Sequence, residues 1–237
     1  MGIDAASKER VAIVTGASRG LGKAIARCLL EAGWTVVGNG RDPSALKEMR
    51  DQLNGHAQLR TLAGDITNYP HLRSLVDTAE GLGCLRLVVN NAGALGPTPL
   101  PRLADLPTDA LEALFRVNTI APLRLIQLAL PSISRHHGTI VNVSSDAAIE
   151  SYSGWGAYGT TKSALEKLTS VFAIESPEVR FYALDPGDMR TDMQQAACPG
   201  EDISDRQDPV HVAPAVLRLL TGDFPPGRYK ANEVLAM

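Results

Sequence analysis

Six short apolar runs, each followed by an amphipathic stretch, constrain this chain more than any other feature. VAIVT (11–15), TVVGN (35–39), AQLRTLA (57–63), LRLVVN (85–90), TIVNVS (139–144) and VRFYAL (179–184) read as strands. Helical patterns lie near 21–32, 43–53, 69–80, 108–134, 157–175 and 209–220. Strands and helices in alternation join through right-handed crossovers into a parallel sheet with helices on both faces. The runs are apolar almost throughout, as strands covered on both sides must be. The expected fold class is therefore α/β, a doubly wound parallel sheet, in one domain over 10–237 behind a flexible segment at 1–9. Gly/Pro-rich breaks follow the fourth run (AGALGPTPLP) and the sixth (DPGDMRTDMQQAACPGEDISD). In an open parallel sheet ligands bind at these carboxyl-end loops. The second break, about 187–208, is long enough to expect a substrate lid.

Charge and cysteine usage narrow the classes of function. The net charge is −3 with five histidines, so no basic surface argues for nucleic acid. No uninterrupted apolar run approaches the ~20 residues of a membrane span. Cys28, Cys84 and Cys198 are few and widely spaced, which suggests reduced thiols in a cytoplasmic protein and offers no metal-site spacing.

Directly after the first strand comes TGASRGLGKAIA, in which Gly16, Gly20 and Gly22 make G-x3-G-x-G. Glycines let the backbone approach a pyrophosphate, and the helix beginning near Leu21 presents free N–H groups to that anion. A dinucleotide site is expected here. A carboxylate some way downstream would hold a ribose 2′-hydroxyl, whereas an arginine would accept a 2′-phosphate. The second strand runs into VVGNGRDP. Gly40 stands where the acid would be sought, and Arg41 follows it. Asp42 precedes Pro43 and has sufficient duty as a helix N-cap. Arg19, inside the glycine loop, can reach the same region. Two arginines and no free acid favour NADP(H).

In GWGAYGTTKSALEKL (154–168), Tyr158, Lys162, Leu165, Leu168 and Phe172 share one helical face. A tyrosine at a core edge and a lysine that snorkels to water would satisfy that pattern. So would a reactive pair. Asn118 also lies on an apolar stripe, with Leu111, Leu114, Phe115, Pro122 and Leu125, and a buried asparagine needs partners. The adjacent His136 and His137 read as a solvated turn.

Taken in order, these segments resemble the classical short-chain dehydrogenase/reductase family, whose fold is a single Rossmann-type domain. TGASRGLG resembles its cofactor loop, NNAG (90–93) its motif after the fourth strand, and YGTTK (158–162) its Y-x-x-x-K. Ser145 lies thirteen residues before Tyr158, Asn118 matches the helix-borne asparagine, and LDPGDMRTDM (184–193) resembles the segment that packs on nicotinamide. The likeness runs from about residue 10 to 230. Tyr182 departs from a commonly seen asparagine.

The resemblance implies a catalytic set of Asn118, Ser145, Tyr158 and Lys162. It implies cofactor contacts from Gly16, Ser18, Arg19, Gly20, Leu21 and Gly22, from Arg41, Asp65 and Ile66, and from Asn91, Ala92 and Gly93. Tyr158, Lys162, Pro186, Gly187, Met189 and Thr191 complete that list. Tyr158 would exchange a proton with the reacting oxygen, and Lys162 would hold the nicotinamide ribose while its ammonium lowers the phenol's pKa from ~10 toward neutrality. Ser145 would hold the substrate oxygen. Asn118 would lead a water to the lysine, or simply satisfy backbone opened by Pro122. Asn90 would tie neighbouring strands together. Asp65 would contact the adenine side or cap a helix, and Thr191 would contact the carboxamide or cap a helix. Leu95, Ala147, Trp155 and Met193 are the candidate substrate contacts, though each could be packing.

The expectation is an NADP(H)-dependent oxidoreductase interconverting a carbonyl and a secondary alcohol, assembled as a homodimer or homotetramer and free of metal. The alternatives are a 3-oxoacyl-carrier-type reductase and a non-catalytic NADP(H)-sensing protein.

Overall fold

A computed structural model of the chain describes residues 9–53 and 55–237. Seven parallel strands form one sheet: β1 Arg10–Val14, β2 Thr35–Gly40, β3 Leu59–Ala63, β4 Cys84–Asn90, β5 Thr139–Val143, β6 Arg180–Asp185 and β7 Gly227–Lys230. Their order is β3-β2-β1-β4-β5-β6-β7, so the winding reverses between β1 and β4. This is the Rossmann-type doubly wound arrangement, and its crevice opens where the order reverses.

The helices are α1 Gly20–Glu31, α2 Pro43–Gln52, α3 Tyr69–Leu82, α4 Thr108–Phe115, α5 Ala121–Arg135, α6 Gly156–Glu175, α7 Asp192–Ala197, α8 Pro209–Val212, α9 Pro214–Thr221 and α10 Ala231–Ala236. Strand side chains alternate between two cores. Ala12, Val14, Val36, Leu87, Val89, Val141 and Leu184 pack with α1, α2, α9 and α10. Val11, Ile13, Val37, Val88, Ile140 and Phe181 pack with α3, α5 and part of α6. Every strand position is thus claimed by one core or the other, which is why the runs read as continuously apolar.

Four features depart from the sequence reading. First, β7 and α10 were not anticipated. β7 is a four-residue edge strand of sequence GRYK, half exposed, with no apolar run to announce it. Second, the helical pattern at 209–220 divides into α8 and α9 at Ala213, because Pro214 lacks an N–H and cannot continue the ladder. Third, the pattern at 108–134 is α4 and α5 joined by a π turn at Arg116–Ile120. Pro122 has no N–H for the carbonyl four residues back, and the turn widens there. By length and hydropathy the helical run 108–135 could cross a membrane, but half of its apolar window is packed inside the protein. Fourth, the N-terminal segment drawn at 1–9 lies outside the described residues except for Glu9. That residue is tied down, its carbonyl accepting from Cys84 N at 2.9 Å and its carboxylate from Thr35 Oγ1 at 2.9 Å.

Buried polar side chains fix the sheet near its carboxyl edge. Asn90 and Asn142 face each other across β4 and β5, and Asn90 Nδ2 donates to Asn142 Oδ1 at 2.8 Å. Asn142 Nδ2 donates in turn to Thr169 Oγ1 on α6 at 2.8 Å. Both asparagines are buried, so these bonds answer the desolvation of their amides. They also hold α6 at a set height against the sheet.

Candidate active site

The glycine loop sits in the crevice between β1 and β4. Gly16 has φ +65°, and a Cβ there would stand 2.9 Å from Ala92 Cα. A Cβ on Gly22 would lie 2.2 Å from the Gly16 carbonyl oxygen. Neither position admits a side chain, and the close approach is between the loop and the segment after β4. Thr15 Oγ1 accepts from the amides of Asn91 and Ala92 at 3.0 and 3.1 Å. Asn91 Nδ2 donates to the carbonyls of Thr15 and Gly16. Asn91 was anticipated as a cofactor contact; its amide group is instead spent on holding the glycine loop. Arg19 occupies the N-cap of α1 without a side-chain cap bond, and no acid stands in the first turn. The first amides of α1 are therefore open to an anion. Together with the glycine cradle, this fits the pyrophosphate of a dinucleotide.

On the adenine side, a Cβ at Gly40 would meet Ser18 and Leu46 at 3.2 Å. Asp42 caps α2, its Oδ1 accepting from Ser44 N at 2.8 Å. Asp65 Oδ1 accepts from both Thr67 N and Thr67 Oγ1, a local turn that holds its carboxyl below the usual range, with the Arg41 charge adding to the effect. The cap of α3 is Asn68, not Asp65. Ile66 is buried in the core. Arg41 is exposed and forms no ion pair among the described residues. Arg19 differs from the reading of two free guanidiniums. It pairs with Asp192 at 3.1 Å, although both side chains are over 70% exposed and such a pair is weak.

Tyr158 and Lys162 lie on the inward face of α6 and are both buried. The lysine does not snorkel. Its Nζ donates to the Val143 carbonyl at 2.7 Å and stands 5.5 Å from the Tyr158 ring centroid. A Cβ at Gly93 would lie 3.4 Å from Asn118 Oδ1 and 3.8 Å from Lys162 Nζ, so Gly93 separates these two groups. Asn118 sits in the π turn. Its Oδ1 accepts from Ala94 N at 2.8 Å, and its Nδ2 donates to Ala94 O at 2.9 Å and Thr161 Oγ1 at 3.0 Å. It therefore clasps the loop after β4 to α6, and the helix backbone near Pro122 receives none of these bonds. Ser145 follows β5. Its Oγ donates to Asp146 Oδ1 at 3.0 Å and accepts from Ala147 N at 3.2 Å. The neighbouring Ser144 donates to Glu166.

The electrostatics correct one expectation. The ammonium was expected to bring the phenol toward neutrality. Burial instead pushes Tyr158 well above the ordinary phenol, and Asp185 and Asp146 push it further. Burial also pushes Lys162 down to about 8, against the raising effect of Glu166. Desolvation of each charged form outweighs their mutual attraction. With the chain's own residues alone, Tyr158 keeps its proton and is poised as an acid.

Leu95, Ala147 and Tyr158 form a small apolar cluster against which Trp155, Leu100 and Ala197 pack. The rings of Trp155 and Tyr158 meet edge to face at 5.7 Å. Three of the four candidate substrate residues are thus gathered at the tyrosine. Met193 is 38% exposed and outside the cluster, and Ala197 of the same helix takes that place. Thr191 caps α7 through Gln194 N at 3.3 Å. Pro186 and Gly187 follow β6, with the Gly187 amide on Asp185 Oδ1 at 3.0 Å. Met189 bridges Gln207, and Arg190 pairs with Asp208 at 3.0 Å, which ties together the two ends of segment 187–208. Sequence reasoning missed Asp146, Glu166, Asp185 and Arg228, all of which bond into this region. Glu166 alone carried a signal, since it falls one turn past Lys162. Among the described residues no group of three or more His, Cys, Asp or Glu could hold a metal.

A family model described as short chain dehydrogenase matches residues 10–202. An uncharacterized oxidoreductase of Saccharomyces cerevisiae is 35% identical over 188 residues, which are 78% of this chain and 72% of that protein. The L-fucose dehydrogenase of Mus musculus is 33% identical over 185 residues, 77% of this chain and 66% of that protein. The X-ray structure of an alcohol dehydrogenase from the archaeon Thermococcus sibiricus, complexed with 5-hydroxy-NADP, superposes with a TM-score of 0.82 at 29% identity. The match covers 94% of this chain and 95% of that one.

The buried lysine leads to a stability prediction. Its amine titrates near 8 in the folded protein and near 10.5 when unfolded. Between those values the unfolded chain binds more protons, so stability rises with pH across that window. A Lys162→Met variant lacks this rise. Wild type should gain about 2 kcal/mol on the variant between about pH 7 and pH 10, read by urea unfolding. A pH-independent difference would show that the amine titrates as it does in water.

Proposed function

The chain belongs to the short-chain dehydrogenase family and is an oxidoreductase, and from that premise we propose that it interconverts a carbonyl and a secondary alcohol with NADP(H). The observation that carries this reading is the placement of Tyr158. Its phenol is buried beside Gly93 and Ala147 at the carboxyl edge of the sheet, protonated, with its hydroxyl bonded to no described residue. When bound, the nicotinamide supplies or takes up the hydride. Tyr158 gives its proton to the carbonyl oxygen, and Ser145 turns its hydroxyl from Asp146 to the same oxygen. Lys162, hung from the Val143 carbonyl, holds the ribose, and Asn118 fixes the loop that carries Gly93. A phenol with a raised pKa favours reduction over oxidation.

NADP(H) is supported by Arg41, by the weakly paired Arg19 and by the crowded Gly40, where no acid stands to receive a ribose hydroxyl. The cofactor analogue bound to the archaeal alcohol dehydrogenase is of the same type. Leu95, Ala147 and Trp155 offer a partly apolar wall, and segment 187–208 acts as the lid. A medium-sized ketone or a sugar fits, as the fucose dehydrogenase relative suggests. Asp146, Glu150 and Asp188 cluster around Tyr152 near the mouth, which opposes docking of an acidic acyl carrier. The three free cysteines suit a reducing compartment such as the cytoplasm. Assembly as a homodimer or homotetramer would use the apolar hollow at Leu111, Phe115 and Ile120 and the exposed Val171 and Ile174.

Tyr158→Phe should lower kcat for NADPH-dependent ketone reduction by roughly a thousandfold or more and leave the NADPH Kd nearly unchanged. Retained turnover would remove Tyr158 from the chemistry. Arg41→Ala combined with Arg19→Ala should lower the NADPH/NADH ratio of kcat/KM by roughly tenfold or more; an unmoved ratio rules the two arginines out. Light scattering should give two or four times the chain mass, and a single-chain mass would refute the assembly.

A further inference from the structure

Arg228 lies on β7, beyond the residues 10–202 that the family model matches. Its Nε donates to Glu166 Oε1 at 3.0 Å, and its Nη2 donates to Asp185 Oδ2 at 2.8 Å and to the Ser145 carbonyl at 3.3 Å. The side chains of Arg228, Glu166 and Asp185 are 22%, 16% and 3% exposed. Ser144 donates to the same Glu166 oxygen, and the other Asp185 oxygen receives the Gly187 amide. One guanidinium therefore meets three segments, namely the end of β5 at Ser144–Ser145, the end of β6 at Asp185–Gly187, and α6 at Glu166. Each segment carries part of the proposed site. Ser145 stands on the first and Pro186–Gly187 on the second. Tyr158 and Lys162 lie two turns and one turn before Glu166 on the third.

Two properties single out arginine here. Its planar fork holds several acceptors at fixed angles, which a lysine cannot do. Its charge also balances the cluster, in which two carboxylates face the guanidinium and the Lys162 ammonium. A buried ion cluster is a poor source of net stability, because desolvation offsets the attraction. Its benefit is geometric. We propose that Arg228 is a positioning residue, holding Ser145 and the Pro186–Gly187 turn at fixed offsets from the Tyr158–Lys162 face of α6, and so governing the chemical step rather than cofactor affinity. This rests on the oxidoreductase reading above.

Arg228→Met leaves two carboxylates facing one ammonium and may not fold well by itself, so the deciding variant is the charge-balanced pair Arg228→Met with Asp185→Asn. The pair should recover most of the thermal stability lost by Arg228→Met. It should still show kcat lowered by roughly tenfold to a hundredfold, with the NADPH Kd within about threefold of wild type. Arg228→Lys should likewise keep its stability better than its kcat. If kcat returns together with stability in either variant, Arg228 acts only through the fold and the proposal is overturned. Deuterium uptake gives a second readout that needs no substrate. In the balanced pair it should rise in peptides covering 144–150 and 185–191 and stay level over β1 and β2. Unchanged uptake at 144–150 and 185–191 overturns the tether. If wild type turns over no ketone or alcohol, the oxidoreductase reading falls separately, and uptake still decides whether Arg228 is the tether.

Discussion

A buried ammonium must find an acceptor or give up its proton, and the region around α6 is organised by that demand at Lys162. The Val143 carbonyl at the end of β5 accepts from it, and Glu166 one turn on offsets part of its desolvation. Glu166 is itself held by Ser144 and Arg228, so the demand passes outward to β7. Tyr158 answers in the opposite way. Its phenol is uncharged and buried, and it keeps its proton. The two neighbours are thus displaced from their solution behaviour in opposite directions by one cause, removal from water.

The carboxyl edge of the sheet is built from side-chain amides rather than from loops that merely close over it. Asn90 and Asn142 lock β4 to β5, Asn91 braces the glycine loop, and Asn118 joins the loop after β4 to α6. An amide both donates and accepts, so each asparagine can bridge two segments whose own backbone groups point past one another. This gives the crevice a rigid floor while its exposed rim, residues 187–208, rests on weaker surface pairs such as Arg190–Asp208.

What the sequence disclosed and what it withheld divide along the range of the interactions. Strands β1 to β6 were legible because burial on both faces leaves no room for polar residues. The Tyr158–Lys162 pair was legible because helical spacing is local, and the Asp42 cap because its partner is two residues away. β7 was not, since GRYK gains its place from pairing with β6 and not from its own composition. The acceptor of Lys162 lies nineteen residues away and that of Arg228 sixty-two, and no periodicity reaches so far. Thr191 offered two readings at once; its side chain caps α7. The sign of the Tyr158 shift was misjudged because sequence spacing reports the nearness of a charge and says nothing of the water removed around it.

The widened turn at Arg116–Ile120 has a consequence for how this lineage can vary in length. Removing one residue there would restore ordinary helical winding, but it would swing everything downstream by about 100° around the axis. Leu125, Ala129 and Ile133 would leave the sheet, and polar neighbours would take their places. A tidier helix would cost the molecule its interior. The least forgiving place for an insertion or deletion is therefore the middle of its longest helical run, while the surface breaks on either side remain free to drift.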